Sequence, residues 1–298
     1  MILLTGSSGF VGKNLKEYLR SSTIYDVSRD ELNNINSDIL LNSGSIVHLA
    51  GKAHDLQRVS NFKEYYDINF EITRKLYDQF LVSEMSKFVY ISSVKAVSDK
   101  ISGILDETTL PNPQTHYGKS KLLAEQYIQS QALPKGKSYY ILRPCMIHGP
   151  GNKGNLNLLY QVVKSGLPYP LAAFENKRSF LSVKNLSFVI HELITQNNIQ
   201  SGIYHVADDQ ALATNEVVRI LSSALGKSPR LWKVSPKIIR FIAKVGDKLK
   251  MPLTTERLDK LTESYIVSNE KLKQALNKPL PLSSAAGLQL TAKSFVNS

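Results

Sequence analysis

Short apolar runs alternate with amphipathic segments along most of the chain. The apolar runs predict buried strands, one at the N-terminus and others at residues 23–27, 45–50, 87–92, 138–143 and 202–207. The amphipathic segments predict helices, among them residues 62–83, 116–131 and 213–224. Strands that are apolar throughout and separated by helices are typical of a parallel sheet covered on both faces. The pattern therefore predicts an α/β fold with a doubly wound parallel sheet.

A glycine-rich turn separates the first strand from the first helix. Gly6, Gly9 and Gly12 follow one another at every third position. Gly6 permits a tight turn, Gly9 lets the backbone approach a pyrophosphate, and Gly12 lets the helix pack closely on the strand. The helix begins near Phe10 and offers free N–H groups and the positive end of its dipole to phosphates. The turn predicts a dinucleotide site formed by Gly6, Gly9, Phe10 and Gly12.

Further candidate site residues stand where predicted strands end. In open α/β sheets the ligand lies at the carboxyl ends of the strands. The third predicted strand ends at Ala50 and Gly51, the fourth at Ser92 and Ser93, and the next at Pro144. We expect Ala50, Gly51 and Pro144 to border a bound cofactor. A serine hydroxyl at such a position can hydrogen-bond a sugar or keto oxygen.

A tyrosine and a lysine share one face of the helix predicted at 116–131. Tyr117 and Lys121 are four residues apart and therefore point the same way. We expect the ammonium of Lys121 to favour the phenolate and so to lower the pKa of Tyr117. Together with a serine at a strand end, this pair predicts a hydride-transfer site for a nicotinamide cofactor.

Seven segments in the same order resemble the extended short-chain dehydrogenase/reductase family, in its NAD-dependent epimerase/dehydratase branch. They are "TGSSGFVG" (5–12), "VHLAG" (47–51), "YDINFEITRKL" (66–76), "VYISSVKAV" (89–97), "HYGKSKLLAE" (116–125), "ILRPCMIHGPG" (141–151) and "NKRSFLSVKNL" (176–186). The resemblance implies a catalytic triad of Ser93, Tyr117 and Lys121, and a supporting asparagine at Asn69. In that triad the lysine also holds the cofactor ribose.

The resemblance also implies residues that hold the substrate. Arg178 matches an arginine that clamps a nucleotide diphosphate, a task suited to its planar fork. Asn155 matches a second diphosphate contact. The 4,6-dehydratases of the family carry Asp-Glu where this chain has Val94 and Lys95. Without that acid and base, elimination of water lacks proton carriers, so we expect no dehydratase activity.

The end of the second strand bears on the choice of cofactor. NAD sites usually place an acid there to bind the ribose 2′-OH, whereas this chain has Ser28 followed by Arg29. A hydroxyl and a guanidinium suit a 2′-phosphate, so we favour NADP(H). NAD(H) stays open as the alternative, because a shift of two residues in the alignment would place Asp26 at that position.

Two reactions at sugar C4 follow from these two cofactors. The segments "NKRSFLSVKNL" and "GLPYPL" (166–171) are similar to a subgroup of bacterial surface-polysaccharide synthesis that includes O-antigen and lipopolysaccharide pathways. The subgroup contains reductases of UDP-4-keto-6-deoxy-N-acetylhexosamines and UDP-N-acetylhexosamine 4-epimerases. We favour the 4-ketoreductase because of Ser28 and Arg29. The 4-epimerase remains the alternative, as does a polyprenyl-diphosphate-linked substrate in place of a UDP-sugar.

The basic charge of the chain is concentrated near its C-terminal end. The formal net charge is +12, and residues 227–260 hold ten Lys or Arg against three Asp or Glu. Residues 236–250 predict a basic amphipathic helix with an apolar stripe at Ile238, Ile242, Val245 and Leu249. We favour a stripe that packs inward on the protein. The alternative is peripheral contact with an acidic membrane.

Other classes of function find less support in the sequence. The single cysteine, Cys145, excludes an intrachain disulfide framework and fits a reducing cytoplasm. The histidines show no metal-ligand spacing, so we expect no metal. No apolar run approaches the ~18 residues of a membrane span. The charge permits nucleic-acid binding, but no nucleic-acid motif accompanies it, and a dinucleotide sensor would not need the triad. We therefore expect a UDP-sugar, and no nucleic acid, as the partner.

The expected organisation has two domains with a cleft between them for the sugar nucleotide. Residues 1–150 and 178–208 are predicted to form the NAD(P)-binding domain. Residues 151–177 and 209–298 are predicted to form a smaller, mostly helical substrate-binding domain. The resemblance further implies a cytoplasmic homodimer, located at the inner face of the membrane if the basic helix binds there.

Overall fold

The computed structural model describes residues 1–28, 31–33, 44–52, 62–152, 155–249 and 253–296. In this part of the chain the strands are β1 (Ile2–Thr5), β2 (Ile24–Val27), β3 (Ser45–His48), β4 (Lys87–Ile91), β5 (Ile104–Leu105), β6 (Ser138–Pro144), β7 (Met146–His148), β8 (Lys177–Arg178), β9 (Phe180–Ser182), β10 (Gly202–Val206), β11 (Leu212–Ala213) and β12 (Ile266–Val267).

The helices of the same ranges are α1 (Phe10–Tyr18), α2 (Lys63–Tyr66), α3 (Ile72–Val82), α4 (His116–Ser130), α5 (Asn155–Lys164), α6 (Val183–Thr195), α7 (Thr214–Ala224), α8 (Pro236–Leu249), α9 (Thr255–Thr262), α10 (Glu270–Leu276) and α11 (Ser284–Val296). A π-helical turn at Asp67–Glu71 joins α2 to α3. Short 3-10 helices occupy Glu31–Asn33 and Val94–Ala96.

The central sheet has six parallel strands in the order β10-β6-β4-β3-β1-β2. Successive residues of a strand face opposite sides, and both sides are covered. Leu3 belongs to one buried cluster together with Phe80 of α3, while Leu4 belongs to another together with Leu15 of α1. The prediction of a doubly wound parallel sheet with helices on both faces is confirmed.

A third cluster of buried side chains lies outside the sheet. It is drawn from α5, α7, α8, α9 and α11, and it includes Tyr160, Leu221, Ala243, Leu258 and Leu288. We call this cluster the second core, since the other two clusters lie on the two faces of the central sheet. A separate core built mainly from helices is what a mostly helical substrate-binding domain requires. The predicted division of the chain at about residues 150, 178 and 208 stays a prediction.

Helix α8 does not pack as its sequence was expected to. Three of the four residues of the predicted inward stripe are exposed: Ile238, Ile242 and Leu249 keep 54%, 40% and 68% of their surface, while Val245 is partly buried. The buried residues are instead Ile239, Ala243 and Gly246, which recur at helical spacing. Their small average size lets α8 approach α9. The expectation that the larger apolar stripe faces the protein was therefore wrong.

Candidate active site

The glycine turn after β1 packs against the end of β3. Gly6 has φ +70°, and a Cβ atom on it would lie 2.7 Å from the backbone nitrogen of Ala50. A Cβ atom on Gly12 would overlap the carbonyl oxygen of Gly6. The turn thus needs glycine at both positions, because any side chain would push α1 away from the sheet.

The N-terminus of α1 opens directly from this turn. Gly9 is its N-cap and has no side chain with which to cap the first backbone N–H groups. The first turn of α1 contains no acidic residue. The ring of Phe10 lies near Gly149, where a Cβ atom would be 3.5 Å from its tip. An uncapped N-terminus beside a glycine turn fits a dinucleotide pyrophosphate.

Helix α4 carries Tyr117 and Lys121 into the same region. The helix starts after Thr115, whose hydroxyl accepts a hydrogen bond from the backbone N–H of Gly118 at 3.2 Å. This N-cap fixes the first turn, which holds Tyr117. One turn later, Lys121 is 5% exposed. The cap therefore sets the direction of both side chains.

The ammonium of Lys121 points at the end of β4. Its Nζ donates to the carbonyl oxygen of Ile91 at 2.8 Å and lies 4.8 Å from the centre of the Tyr90 ring. Burial lowers the pKa of Lys121 to about 8, and the carboxylate of Glu125 opposes this shift. Lys121 is therefore a cation near neutral pH that loses its charge more easily than an exposed lysine.

Ser93 and Tyr117 are within hydrogen-bonding reach of each other. Ser93 is the N-cap of the 3-10 helix at Val94–Ala96, and its Oγ accepts from the N–H of Lys95 at 3.2 Å. Burial raises the pKa of Tyr117, while the hydrogen bond with Ser93 acts in the opposite direction. The structure thus brings Ser93 and Tyr117 together one helical turn from Lys121, and their role as a catalytic triad stays a prediction.

The expected effect of Lys121 on Tyr117 was wrong for the structure described here. The pKa of Tyr117 is raised, and the charge of Lys121 is not among the causes of its shift. The ammonium of Lys121 points toward β4 instead, because it donates a hydrogen bond to the carbonyl of Ile91 at the end of that strand. A protonated tyrosine suits a group that donates a proton to a substrate oxygen.

Asn69 holds the loop after β3 against α4. It lies in the π-helical turn, and its side-chain amide exchanges hydrogen bonds with the backbone of Lys52, with Oδ1 accepting at 2.8 Å and Nδ2 donating at 3.2 Å. Its Nδ2 also donates to Ser120 at 3.0 Å. A Cβ atom on Gly51 would lie 3.0 Å from Oδ1 of Asn69 and 3.1 Å from Nζ of Lys121. The predicted Gly51 and Asn69 therefore lie beside the triad.

A buried ion pair lies behind the triad, and sequence reasoning missed it. Glu125 accepts two hydrogen bonds from Nε of Arg143, at 3.0 and 3.1 Å, and one from Nη2 at 2.5 Å. The hydroxyl of Ser92 also donates to Glu125. Glu125 stands four residues after Lys121, and this spacing was the available signal. The first serine of the pair therefore supports the helix while the second faces Tyr117.

A second buried network links the ends of β1 and β3, and it too was missed. His48 is joined to Thr5 at 2.7 Å through Nδ1 and to Thr73 at 3.0 Å through Nε2. Thr5 accepts from the N–H of Ala50 at 3.1 Å, and Thr73 donates to the carbonyl of Asn69 at 2.8 Å. Burial lowers the pKa of His48 to about 3, helped by the charge of Lys121. The imidazole is neutral and serves as a fixed spacer.

The end of β2 is only partly described. Ser28 follows the strand directly, while Arg29 lies outside the described residues. Asp26 is inside β2 and pairs with Lys16 of α1. A carboxylate is still near, because Glu31 accepts from the N–H of Ser28 at 2.7 Å. These hydrogen bonds from Ser28 lower the pKa of Glu31, so that it stays ionised.

Arg178 lies in β8 beside the segment that precedes β12. Its Nε donates to the carbonyl of Glu263 at 3.2 Å, and its Nη2 lies 3.6 Å from the carboxylate of Glu263. Burial lowers its pKa, which Glu263 opposes. Asn155 begins α5, but its side chain is outside what the structure describes. Arg178 is thus held by the backbone carbonyls of Glu263 and Lys260 and by one carboxylate, and its role as a diphosphate clamp stays a prediction.

Lys95 brings a further cation to the neighbourhood of Arg178. It follows Ser93 by two residues, its Nζ donates to the carbonyl of Asp99 at 2.8 Å, and it lies 4.3 Å from the centre of the Tyr265 ring. Burial lowers its pKa, and the charge of Arg178 acts in the same direction. In the sequence, Lys95 marked only the absence of a catalytic acid. In the structure its backbone N–H donates to Ser93, and its ammonium is close enough to Arg178 for the two charges to act on each other.

The remaining predictions concern Pro144, Cys145 and metals. Pro144 ends β6, the neighbour of β4, so it lies at the same edge of the sheet as Ser93. Burial raises the pKa of the Cys145 thiol well above its usual value, which disfavours the reactive thiolate form. In the described part of the chain no group of three His, Cys, Asp or Glu side chains could hold a metal ion.

Fold and site together define an extended short-chain dehydrogenase/reductase. The model of the NAD dependent epimerase/dehydratase family matches residues 2–207. The chain belongs to that family. The resemblance read from the seven sequence segments is thereby confirmed, and the protein is an enzyme of this class.

Two relatives of known activity align with most or all of the chain. It is 30% identical to the UDP-glucose 4-epimerase of Vibrio cholerae over 99% of this chain and 95% of the relative. It is 29% identical to the N-acetyl-alpha-D-glucosaminyl-diphospho-ditrans,octacis-undecaprenol 4-epimerase of Escherichia coli O157:H7, over 76% and 72%. The solved UDP-N-acetylglucosamine 4-epimerase of Bacillus cereus superposes with a TM-score of 0.76 at 24% identity, over 98% and 97%. This last likeness shows the shared fold.

Proposed function

We propose that this protein transfers a hydride at C4 of a nucleotide sugar, and that it is a 4-ketoreductase of a UDP-4-keto-6-deoxy-N-acetylhexosamine. The observation that carries the proposal is the assembly of Ser93, Tyr117 and Lys121 at the carboxyl end of β4. The same edge of the sheet holds the uncapped N-terminus of α1. A proton donor and a dinucleotide cradle at one edge are what a hydride transfer to a ketone needs.

The residues of the chain divide the work as follows. Tyr117 donates its proton to O4 of the sugar and is reprotonated from solvent, and its raised pKa keeps that proton available near neutral pH. Ser93 hydrogen-bonds O4 and so orients the carbonyl toward Tyr117. Lys121, a buried cation beside Gly51, holds the ribose of the cofactor. The nicotinamide cofactor supplies the hydride that C4 receives.

The substrate diphosphate is assigned to the cationic side of the site. Arg178 and Lys95 provide two cations whose charges act on each other. Arg178 is the predicted diphosphate clamp, and Asn155 at the start of α5 is the predicted second contact. This arrangement supports a UDP-sugar, and it equally accommodates the diphosphate of a polyprenyl-linked sugar.

NADP(H) is the cofactor that we favour. Ser28 directly follows β2, and Asp26 is turned to Lys16 rather than to the strand end. This supports the alignment that places Ser28 and Arg29 at the adenosine ribose. Glu31 beside Ser28 is the observation that speaks for NAD(H), because its carboxylate could accept from a ribose 2′-OH.

A 4-epimerase is the second candidate function. The two sequence relatives named above are both 4-epimerases. An epimerase would use the same triad. It would remove the hydride from C4, let the keto sugar turn over, and return the hydride to the other face. The difference lies in whether the cofactor stays bound between turnovers.

Denaturing the purified protein and identifying the released dinucleotide separates the two functions. The reductase predicts a protein that releases no stoichiometric cofactor and that binds NADPH more tightly than NADH. Stoichiometric release of NAD or NADH would sink the reductase and point to the epimerase. An Asp26→Asn variant is the matched control, because we expect it to leave the preference unchanged, whereas Ser28→Asp should reverse it.

The setting of the enzyme is part of the same proposal. We place it in the cytoplasm as a homodimer, with residues 1–150 and 178–208 as the cofactor domain and the rest as the substrate domain. Sedimentation velocity on the purified protein tests the dimer. A monomer across the micromolar range would contradict it.

A further inference from the structure

Helix α8 presents a row of large apolar side chains to solvent. Ile238, Phe241, Ile242 and Leu249 are all exposed, with Phe241 keeping 68% of its surface. At about 100° per residue these positions fall on one side of the helix. We call these four residues the α8 outer face.

The α8 outer face is distinct from the face that packs on the protein. Ile239, Ala243 and Gly246 are the buried residues of α8. They lie about 100° around the helix from the exposed row. The helix is therefore already anchored on the second core, and its outer apolar row is not needed for folding. The four exposed members of the row face solvent, and Val245, which lies between them on the helix, is partly buried.

Four cations border the α8 outer face, on the side away from the buried face. They are Lys237, Arg240, Lys244 and Lys248. The single acidic residue of α8 is Asp247, whose carboxylate is held by the backbone N–H of Thr255 at 3.0 Å and by its hydroxyl at 2.5 Å. The exposed side of the helix is thus apolar on one flank and positively charged on the other.

We propose that the α8 outer face docks on a lipid bilayer that contains anionic headgroups. The apolar row would enter the boundary between headgroups and acyl chains, and the lysines would reach the phosphates. The helix has 14 residues and so spans roughly 21 Å. It lies in the plane of the surface. In the described ranges no helix is long and apolar enough to cross a membrane.

Other occupants fit the observations less well. A nucleic acid would be attracted by the four cations, but it gains nothing from Phe241 and the isoleucines. A second copy of the chain would meet the same four cations, and like charges facing each other across an isologous contact repel. An anionic lipid surface would attract the four cations and would also bury the exposed apolar side chains.

Sedimentation of the full chain with lipid vesicles tests the proposal. We expect binding to vesicles of phosphatidylcholine mixed with phosphatidylglycerol at about 0.1 M salt. Binding to pure phosphatidylcholine should be at least roughly tenfold weaker, because each cation near an anionic surface contributes. Raising the salt to about 1 M should weaken the binding to the anionic vesicles in the same way.

Two variants separate the apolar from the charged contribution. Phe241→Ser with Ile242→Ser should weaken binding to the anionic vesicles at least roughly tenfold. Lys244→Gln with Lys248→Gln should weaken it by a similar factor and abolish the salt dependence in large part. Leu110→Ser, a change at a leucine outside α8 that is 86% exposed, is the matched control and should bind as the wild type does. Thermal melts of each variant establish that it is folded.

Three results would overturn the proposal. The first is no binding of the folded wild type to anionic vesicles. The second is equal binding to anionic and neutral vesicles. The third is that the serine variant binds vesicles like the wild type but turns a dimer into a monomer in sedimentation velocity, which would make the face a contact between copies of the chain.

Discussion

Glu125 sets the electrostatic conditions under which Lys121 works. Lys121 is buried, and burial alone would drive its ammonium toward the neutral form. The carboxylate of Glu125, one helical turn away, opposes this and is itself held by Arg143 and Ser92. Glu125 touches none of the reacting groups, so it is a positioning residue. Its effect should therefore appear in the pH profile more than in the chemistry.

Replacing Glu125 with glutamine should move the alkaline limit of activity to lower pH. In the wild type Lys121 loses its proton at about pH 8, so kcat/KM should fall above that value. Without the carboxylate the pKa of Lys121 drops further, and the fall begins earlier. The measurement is the pH dependence of kcat/KM for both proteins.

Arg143→Met is the control for that measurement. It breaks the same buried ion pair, so both variants should lose roughly 3–5 kcal/mol of stability. It leaves the charge of Glu125 in place, however, and should not move the alkaline limit downward. Equal downward shifts in the two variants would show that the effect is structural and would contradict the role of Glu125.

For single residues, the sequence predicted which side chains lie together better than it predicted the direction of their pKa shifts. The spacing of Tyr117 and Lys121 placed both on one face of α4, and the structure agrees. The spacing could not show that Lys121 turns to the carbonyl of Ile91, which is thirty residues away in sequence. The direction of a pKa shift depends on such contacts from other elements, so it could not be read from the helix alone.

The 3-10 helix at Val94–Ala96 is positioned by its contact with α4. The carbonyl of Lys95 packs on Gly118, where a Cβ atom would overlap the oxygen and would lie 2.8 Å from Cβ of Pro113. Because Ser93 caps this 3-10 helix, the contact also sets the distance from Ser93 to Tyr117. The absence of a side chain at Gly118 therefore lets the 3-10 helix approach α4 closely enough for Ser93 to reach Tyr117.

Gly118→Ala should uncouple Ser93 from Tyr117. The added methyl group must push the 3-10 helix away from α4, which costs about 1–3 kcal/mol of stability as in other overpacked sites. The rate constant kcat should fall with the displacement of Ser93, while dinucleotide affinity changes little. Urea unfolding and steady-state kinetics measure the two effects.

Gly44→Ala provides the comparison for that experiment. A Cβ atom on Gly44 would meet only the carbonyl oxygen of Met1, at 3.9 Å, so both stability and kcat should stay near the wild type. An equal loss in both variants would contradict the proposed contact.

The strands and long helices were predictable because their periodicity is local. The 3-10 helix and the π-helical turn were not, because packing between distant segments imposes them.

At the scale of the whole molecule, two strands of the central sheet each carry a buried, neutral histidine. His48 in β3 and His205 in β10 are both fully buried. Burial lowers the pKa of His48 to about 3 and that of His205 to about 4. An unfolded chain holds histidine with a pKa of about 6.5. As the pH falls below that value, the unfolded state takes up protons that the folded state refuses.

Stability should therefore fall as the pH is lowered from about 6.5 toward 4. In this range the unfolded state binds more protons than the folded state. Each histidine therefore contributes up to about 1.4 kcal/mol per pH unit to the slope of the free energy of unfolding against pH. The stability is fully present above about pH 6.5 and is lost on the acid side. Urea unfolding at a series of pH values should show a shallower slope for His205→Leu. Identical slopes would contradict this account.

Which side of helix α8 is buried could not be predicted from its sequence, because that depends on how the whole molecule packs. It contains two apolar rows, one with Ile239 and Ala243 and the other with Ile238 and Ile242. Periodicity finds both but cannot say which one the second core covers. The larger side chains were expected inside, whereas the structure leaves them in solvent, beside the four cations of the helix.

The most direct test of the central claim follows the hydride itself. A UDP-4-keto-6-deoxy-N-acetylhexosamine would be incubated with the protein and NADPH that carries transferable deuterium, and the product analysed by mass spectrometry. We predict a single deuterium at C4, formed about 10²–10⁴-fold more slowly by Tyr117→Phe and at the wild-type rate by Tyr127→Phe on the same helix. A product without deuterium, or an unchanged rate in Tyr117→Phe, would contradict the account.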